Sequence, residues 1–177
     1  FIYAAKNGAK VINCSFGKSH NEGGMAVRDA INYIGAEYGV LVVAAAGNST
    51  RNIDMYPAYP ASFDSENLLV VASTSRSGTM SYFTNYGAIG VDLAAPGSSI
   101  LSSIRGGRYN YMSGTSMASP NTAGVAAEVY ANYPDLSPER VKEILMDSAV
   151  RVPMFEGRIV TGARVDLEKA LMLAAEY

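Results

Sequence analysis

Two near-continuous apolar runs decide most about how this chain can fold. Val40–Ala46 (VLVVAAA) and Asn67–Ser73 (NLLVVAS) offer almost no polar position to turn toward water. A strand with one wet face alternates apolar and polar side chains. A run without alternation suits a strand covered on both faces, as in a parallel sheet. Helical patterns lie between such runs. Met25–Tyr38 sets Ala26, Ala30, Ile31 and Ile34 on one face, and Gly39 follows where a helix would end. This alternation of strands and helices predicts an α/β fold with a mostly parallel central sheet flanked by helices.

The remaining segments fit that frame. Lys10–Ser15 (KVINCS) is a short strand ended by Gly17, and Val91–Ala95 (VDLAA) is another, stopped by Pro96-Gly97. Ser98–Met112 predicts a hairpin turning at Gly106-Gly107. Thr115–Tyr130 is a helix of small residues. Ser137, as N-cap, with Pro138 and Glu139 in the first turn, starts a helix that should run to about Ser148, and Asp166–Glu176 forms the last one. Two long loops, Asn48–Asp64 and Ser73–Ile89, are rich in Gly, Ser, Asn, Tyr and Pro. Loops of that length in a compact domain are more often functional than idle. At 177 residues, with no repeat or linker, the chain amounts to one domain's worth of sequence.

Charge and cysteine content narrow the function. Lys and Arg number 14 against 16 Asp and Glu, a net charge of −2, so no basic excess exists to hold nucleic acid or an anionic membrane. No apolar run is long enough for a membrane span. Cys14 is the only cysteine, which excludes an intrachain disulfide and a multi-cysteine zinc site. It reads as a small buried residue rather than a reactive thiol, because no basic neighbour lowers its pKa. The chain opens at Phe1 in mid-pattern, without the features of a signal peptide, and reads as a piece of something longer.

Three segments carry the candidate chemistry. Ser113-Gly114-Thr115-Ser116-Met117-Ala118-Ser119-Pro120 joins the hairpin to a helix start, where unpaired N–H groups and the positive helix end would stabilise negative charge forming beside Ser116. Ala118 stands where a Gly-x-Ser-x-Gly elbow would have its second glycine, so that motif is absent. Ala44-Ala45-Ala46-Gly47-Asn48 ends a buried strand with a carboxamide at the sheet's ligand-binding edge. Val11–Gly17 is a strand running into a glycine, able to offer its backbone to an extended peptide. On the residues alone each has an ordinary reading as well: an N-cap serine, a turn asparagine and a core strand.

Taken in order, Gly8–Gly17, Val43–Asn48, Tyr59-Pro60-Ala61, Phe83-Thr84-Asn85-Tyr86-Gly87, Leu93–Gly97 and Gly114–Pro120 resemble the subtilisin-type serine peptidases, the subtilases. The resemblance implies the C-terminal portion of one catalytic domain over residues 1–177, with the N-terminal strands of its sheet missing. It makes Ser116 the nucleophile that forms an acyl-enzyme, and Asn48 an oxyanion donor beside the Ser116 N–H. Ser15, Phe16 and Gly17 become one wall of the substrate cleft; Ala45, Ala46 and Gly47 become the other side of the primary specificity pocket. With Ser49 and Ala58 in the neighbouring loop, that pocket is expected to be apolar and uncharged, favouring bulky apolar residues before the cut bond.

The resemblance also shows what this sequence lacks. A subtilase triad runs Asp, His, Ser along the chain. Only Phe1–Cys14 precede the cleft segment, and they hold neither Asp nor His. The one histidine, His20, lies in a polar loop after the cleft segment and reads as a surface residue. Without a base a serine hydroxyl is a weak nucleophile, so the chain alone is expected to be inactive, with the other half of the site on an upstream segment. Asn121 stands where the family usually has a histidine outside the triad, which bears on packing. Asp92 resembles a carboxylate that binds calcium weakly with carbonyls near Glu66 and Leu68; an ordinary loop-end carboxylate is the alternative. No organic cofactor is expected. The expected partners are a polypeptide substrate, the N-terminal half of the same domain and an inhibitory propeptide. The family suggests secretion or an extracytoplasmic site. The competing reading is a non-catalytic peptide binder, a pseudopeptidase or half-domain using the same cleft.

Overall fold

The computed structural model describes residues 1–21 and 24–177. Its centre is a six-stranded sheet in the order β1-β2-β3-β4-β8-β7. The first four strands are parallel: β1 (Val11–Cys14), β2 (Leu41–Ala45), β3 (Leu68–Thr74) and β4 (Leu93–Pro96). Every residue of β2 and β3 is buried, as the unbroken apolar runs require. The pleat divides these residues between two cores. Val42 and Ala44 face one core with Ile31 and Ile34 of α2 (Ala26–Tyr38). Leu41 and Val43 face the other, with Val125 and Val129 of α3 (Thr115–Asn132) and Ile144 and Leu145 of α4 (Pro138–Asp147). The mostly parallel, helix-flanked sheet follows from that double burial.

Local chemistry sets the element ends. Gly39 takes φ +63° as α2 stops, a left-handed conformation suited to glycine. Buried Asn67 then ties α2 to β2, donating from Nδ2 to the carbonyls of Ile31 and Val40 at 2.9 Å each. The Ser137 side chain accepts from the Arg140 N–H at the start of α4. Asp166 does the same for Lys169 ahead of α5 (Leu167–Ala174). The hairpin strands β5 (Ile100–Ile104) and β6 (Arg108–Met112) turn through Gly106 and Gly107, both at positive φ.

Some elements lie outside the sequence reading. Phe1 leads into a short helix, α1 (Ile2–Lys6). The sheet continues beyond β4 through β8 (Ala163–Arg164), parallel to it, and β7 (Val150–Arg151), antiparallel to β8. The Val91–Ala95 strand is displaced to Leu93–Pro96, with the proline at its last residue, where a missing N–H costs the ladder least. β1 and β7 are the sheet's two edges.

Candidate active site

The C-terminal ends of β1 and β2 and the start of α3 converge on one place. α3 begins at Thr115, so Ser116 lies in its first turn. The Ser116 N–H has no protein acceptor among the described residues, as expected of a helix N-terminus. Thr115 clamps the end of β2 onto the helix. Its Oγ1 accepts from the Gly47 N–H at 3.0 Å and donates to Asn48 Oδ1 at 2.9 Å. The Thr115 N–H donates to the same Asn48 oxygen at 2.8 Å. Two donors on Oδ1 fix which way the amide faces. The Asn48 NH2 is left without a protein acceptor among the described residues, beside Ser116. Two N–H donors thus stand ready for an oxygen that gains negative charge near the Ser116 hydroxyl.

Pro120 gives this helix start a second use. Lacking an N–H, it cannot bond the carbonyl four residues back, which is that of Ser116. That carbonyl accepts instead from Ser15 Oγ at 2.8 Å. Asn13 Nδ2 donates to Ser15 Oγ at 2.8 Å, while Asn13 Oδ1 accepts from Ser119 Oγ at 2.7 Å. The β1 end and the α3 start are therefore stitched together, and the Ser116 hydroxyl donates to the Ser15 carbonyl at 3.1 Å. Buried Asn85 organises the other side. It donates to the Ala46 carbonyl and accepts from the N–H groups of Ser49 and Arg51, and its Cγ amide leaves no room for a side chain at Gly47, which sits at φ +103°. Asn85 belongs to a quoted motif, but its role depends on a contact with a loop 39 residues away in sequence. Asn13 and Thr115 carry no sequence signal beyond their proximity to Ser15 and Ser116.

A pocket of about 330 Å³ opens beside Ser116, between Ser15-Phe16-Gly17 on one wall and Ala45-Ala46-Gly47-Asn48 on the other. All eight residues singled out at this cleft from the sequence are therefore brought together with one another. Paired backbone bonds between Lys18 and Tyr59 close one end, and Gly17 lies close to the Tyr59 carbonyl. One expectation fails. Lys18 and Arg51 also line the pocket, so it is not uncharged. Arg51 is delivered by the loop that Asn85 pins, a placement that Ser49 and Ala58 did not disclose. A smaller apolar pocket lies on the far side of Phe16-Gly17, against Tyr59 and Phe63. His20 is exposed, contacts Ser19 and lines no part of the Ser116 pocket.

At Asp92, the expected weak calcium ligand, the neighbours are a lysine and a backbone N–H. Lys142 reaches in from α4 with Nζ 3.2 Å from Asp92 Oδ1 and 2.6 Å from the Leu68 carbonyl. Asp92 Oδ2 accepts from the Val70 N–H at 2.7 Å. An ammonium thus fills the place between carboxylate and carbonyl that the ion would have taken, and the donor set does not fit calcium. Burial pushes the Asp92 carboxyl above its ordinary range, against the pull of Lys142 and the Val70 N–H. No group of three His, Cys, Asp or Glu side chains among the described residues could hold a metal ion. Cys14 is fully buried, and burial pushes its thiol up to about 11.

Comparison with known proteins decides the family. The model of the Subtilase family matches residues 1–169. The chain belongs to the subtilase family. It is similar to thermitase of Thermoactinomyces vulgaris, with 45% identity over 124 residues, covering 70% of this chain and 41% of that protein. It is 38% identical over 169 residues to the halolysin-like extracellular serine protease Nep of Natrialba magadii, covering 96% of this chain and 29% of that one. Among solved structures, a protease of Pseudoalteromonas arctica superposes with a TM-score of 0.82 at 32% identity, over 94% of this chain and 51% of that chain. The chain thus spans about half or less of the length of these relatives. The mostly parallel α/β sheet is the subtilisin-like fold that they share.

Proposed function

We propose that this subtilase chain is the nucleophile-bearing part of a serine endopeptidase domain that hydrolyses polypeptides through an acyl-enzyme. The observation that supports the reading is the Thr115 clamp, which holds Asn48 by its Oδ1 and leaves its NH2, like the Ser116 N–H, near Gly114 without a protein acceptor among the described residues. Ser116 Oγ attacks the scissile carbonyl as its proton passes to a base, and the two donors hold the oxyanion. The amine leaves carrying that proton as the acyl-enzyme forms, and water then cleaves the ester to free the acid and restore Ser116. Ser15–Gly17 and Ala45–Gly47 bind the substrate backbone and the side chain before the cut bond. The base and its orienting carboxylate are supplied by an upstream segment that pairs with β1, the free edge nearest Ser116. Residues 1–177 alone are then inactive. With Arg51 on the pocket wall, a side chain with an acidic end is admitted along with bulky apolar ones, and a basic one is disfavoured. Kinship with an extracellular serine protease supports an extracytoplasmic site of action. An inhibitory propeptide is the partner that this family membership suggests.

The test is hydrolysis of a fluorogenic peptide series by the full-length protein, its Ser116→Ala variant and the 1–177 segment. Turnover by the full-length protein alone, with Phe or Glu before the cut bond preferred to Lys, is expected. Peptide binding without turnover by the full-length protein would overturn the reading in favour of a non-catalytic binder. Preference for Lys would overturn the pocket assignment alone.

A further inference from the structure

We propose that a basic cleft at the β7 end of the sheet, apart from the Ser116 site, binds an extended acidic segment of a polypeptide. The cleft measures about 940 Å³ and lies between the loop 74–79, the β5–β6 hairpin and β7. Arg76, Arg151 and Arg164 line it, and no Asp or Glu does. None of the three guanidiniums makes an ion pair, side-chain hydrogen bond or ring contact among the described residues. The chain has carboxylates to spare, 16 against 14 cations, yet none is placed here. Three cations facing one space repel each other, and an anionic ligand would relieve that.

Two further observations select an extended peptide over a compact anion. β7 is the outermost strand of the sheet among the described residues, and Val150 to Val152 line the cleft together with Thr74, Pro96 and Arg164 at the ends of β3, β4 and β8, which makes the cleft long rather than point-like. An extended peptide in such a cleft directs alternate side chains to its two walls. The opposite wall is apolar: Leu101 and Tyr111 pair across the hairpin on one face, line the cleft and are 54% and 62% exposed. An acidic strand with apolar residues between its carboxylates matches both walls and the guanidiniums. The cleft is at the opposite edge of the sheet from β1, so this inference does not depend on what pairs there.

The test uses the full-length protein carrying Ser116→Ala, so that a peptide is not consumed. The probe is a fluorescein-labelled peptide of alternating Glu and Val, about ten residues long to span an extended strand site. It is titrated by anisotropy at low and moderate salt, with a Lys–Val peptide and inorganic phosphate as comparisons. Saturable binding is expected, weakened by salt. Arg76→Ala with Arg151→Ala should weaken it by about tenfold or more, since charge-assisted bonds are lost. Lys169→Ala, an exposed cation outside both clefts, should leave it unchanged, whereas loss of all saturable binding through Arg51→Ala would place the peptide at Ser116 and overturn the proposal. Both cleft arginines are exposed, so the double variant should keep the parent melting temperature, and this is measured alongside. Equal binding by the double variant, equal binding of the Lys–Val peptide or no binding at low salt would overturn the proposal. Displacement by phosphate at concentrations that leave salt controls unaffected would overturn the peptide in favour of a small anion.

Discussion

Replacing Asn48 by Ala removes the amide N–H proposed to hold the oxyanion beside Ser116. In the full-length protein kcat should fall by about 10²–10³ with little change in KM, the size measured on subtilisin's own asparagine. Steady-state kinetics check it; a fall in kcat of less than about tenfold would contradict it. Thr115→Val keeps the shape but loses the hydroxyl that joins Gly47 to Asn48, so kcat should fall here too, and the melting temperature with it, because the Gly47 N–H is left without its acceptor. Cys14 is predicted to be inert: with its thiol pushed up to about 11, iodoacetamide at pH 8 should label it only in denaturant. Ser116 and Asn48 were legible because each sits in a compact motif at an element end. Thr115, Asn13 and Asn85 were not, because their work is to hold loops from other parts of the chain. Arg51 escaped for the same reason: its entry into the pocket depends on the Asn85 contacts.

At the scale of elements, the Asp92–Lys142 pair joins the start of β4 to α4 and stands in for a bound cation. Lys142→Ala leaves a carboxylate with little exposure and one partner fewer, so stability should drop by about 3 kcal/mol, read by urea denaturation. Calcium or a chelator should not shift the melting temperature through this site. The pH dependence has a definite sign. The folded carboxyl lies above its ordinary value, so over the interval between the two the folded state keeps a proton that the unfolded chain releases. This group's contribution to stability therefore falls as pH rises through that interval, and Asp92→Asn should remove that slope. The buried strands and α2 to α5 were visible from apolar runs, periodicity and caps. β7 and β8 were not, because two residues show no alternation and exist as strands only through pairing with one another and with β4. Lys142 was equally invisible as the partner of Asp92, since it reaches that carboxylate and the Leu68 carbonyl only in the folded chain.

For the whole molecule, the free β1 edge matters most. Ile12 is only partly covered, and the outer side of β1 is open to any chain that can pair with it. Residues 1–177 expressed alone should therefore self-associate, seen as a mass above one chain in sedimentation, and co-expression with the upstream sequence should suppress this. The same edge joins stability to function, because the strands that would cover it are those assigned the missing base. The most direct measurement of that claim is labelling with a fluorophosphonate, which reacts with a serine activated by a neighbouring base. Full-length protein should be modified at Ser116, located by mass spectrometry, while Ser116→Ala protein and the 1–177 segment stay unlabelled. Labelling of the isolated segment at Ser116, or none in the full-length protein, would contradict the account.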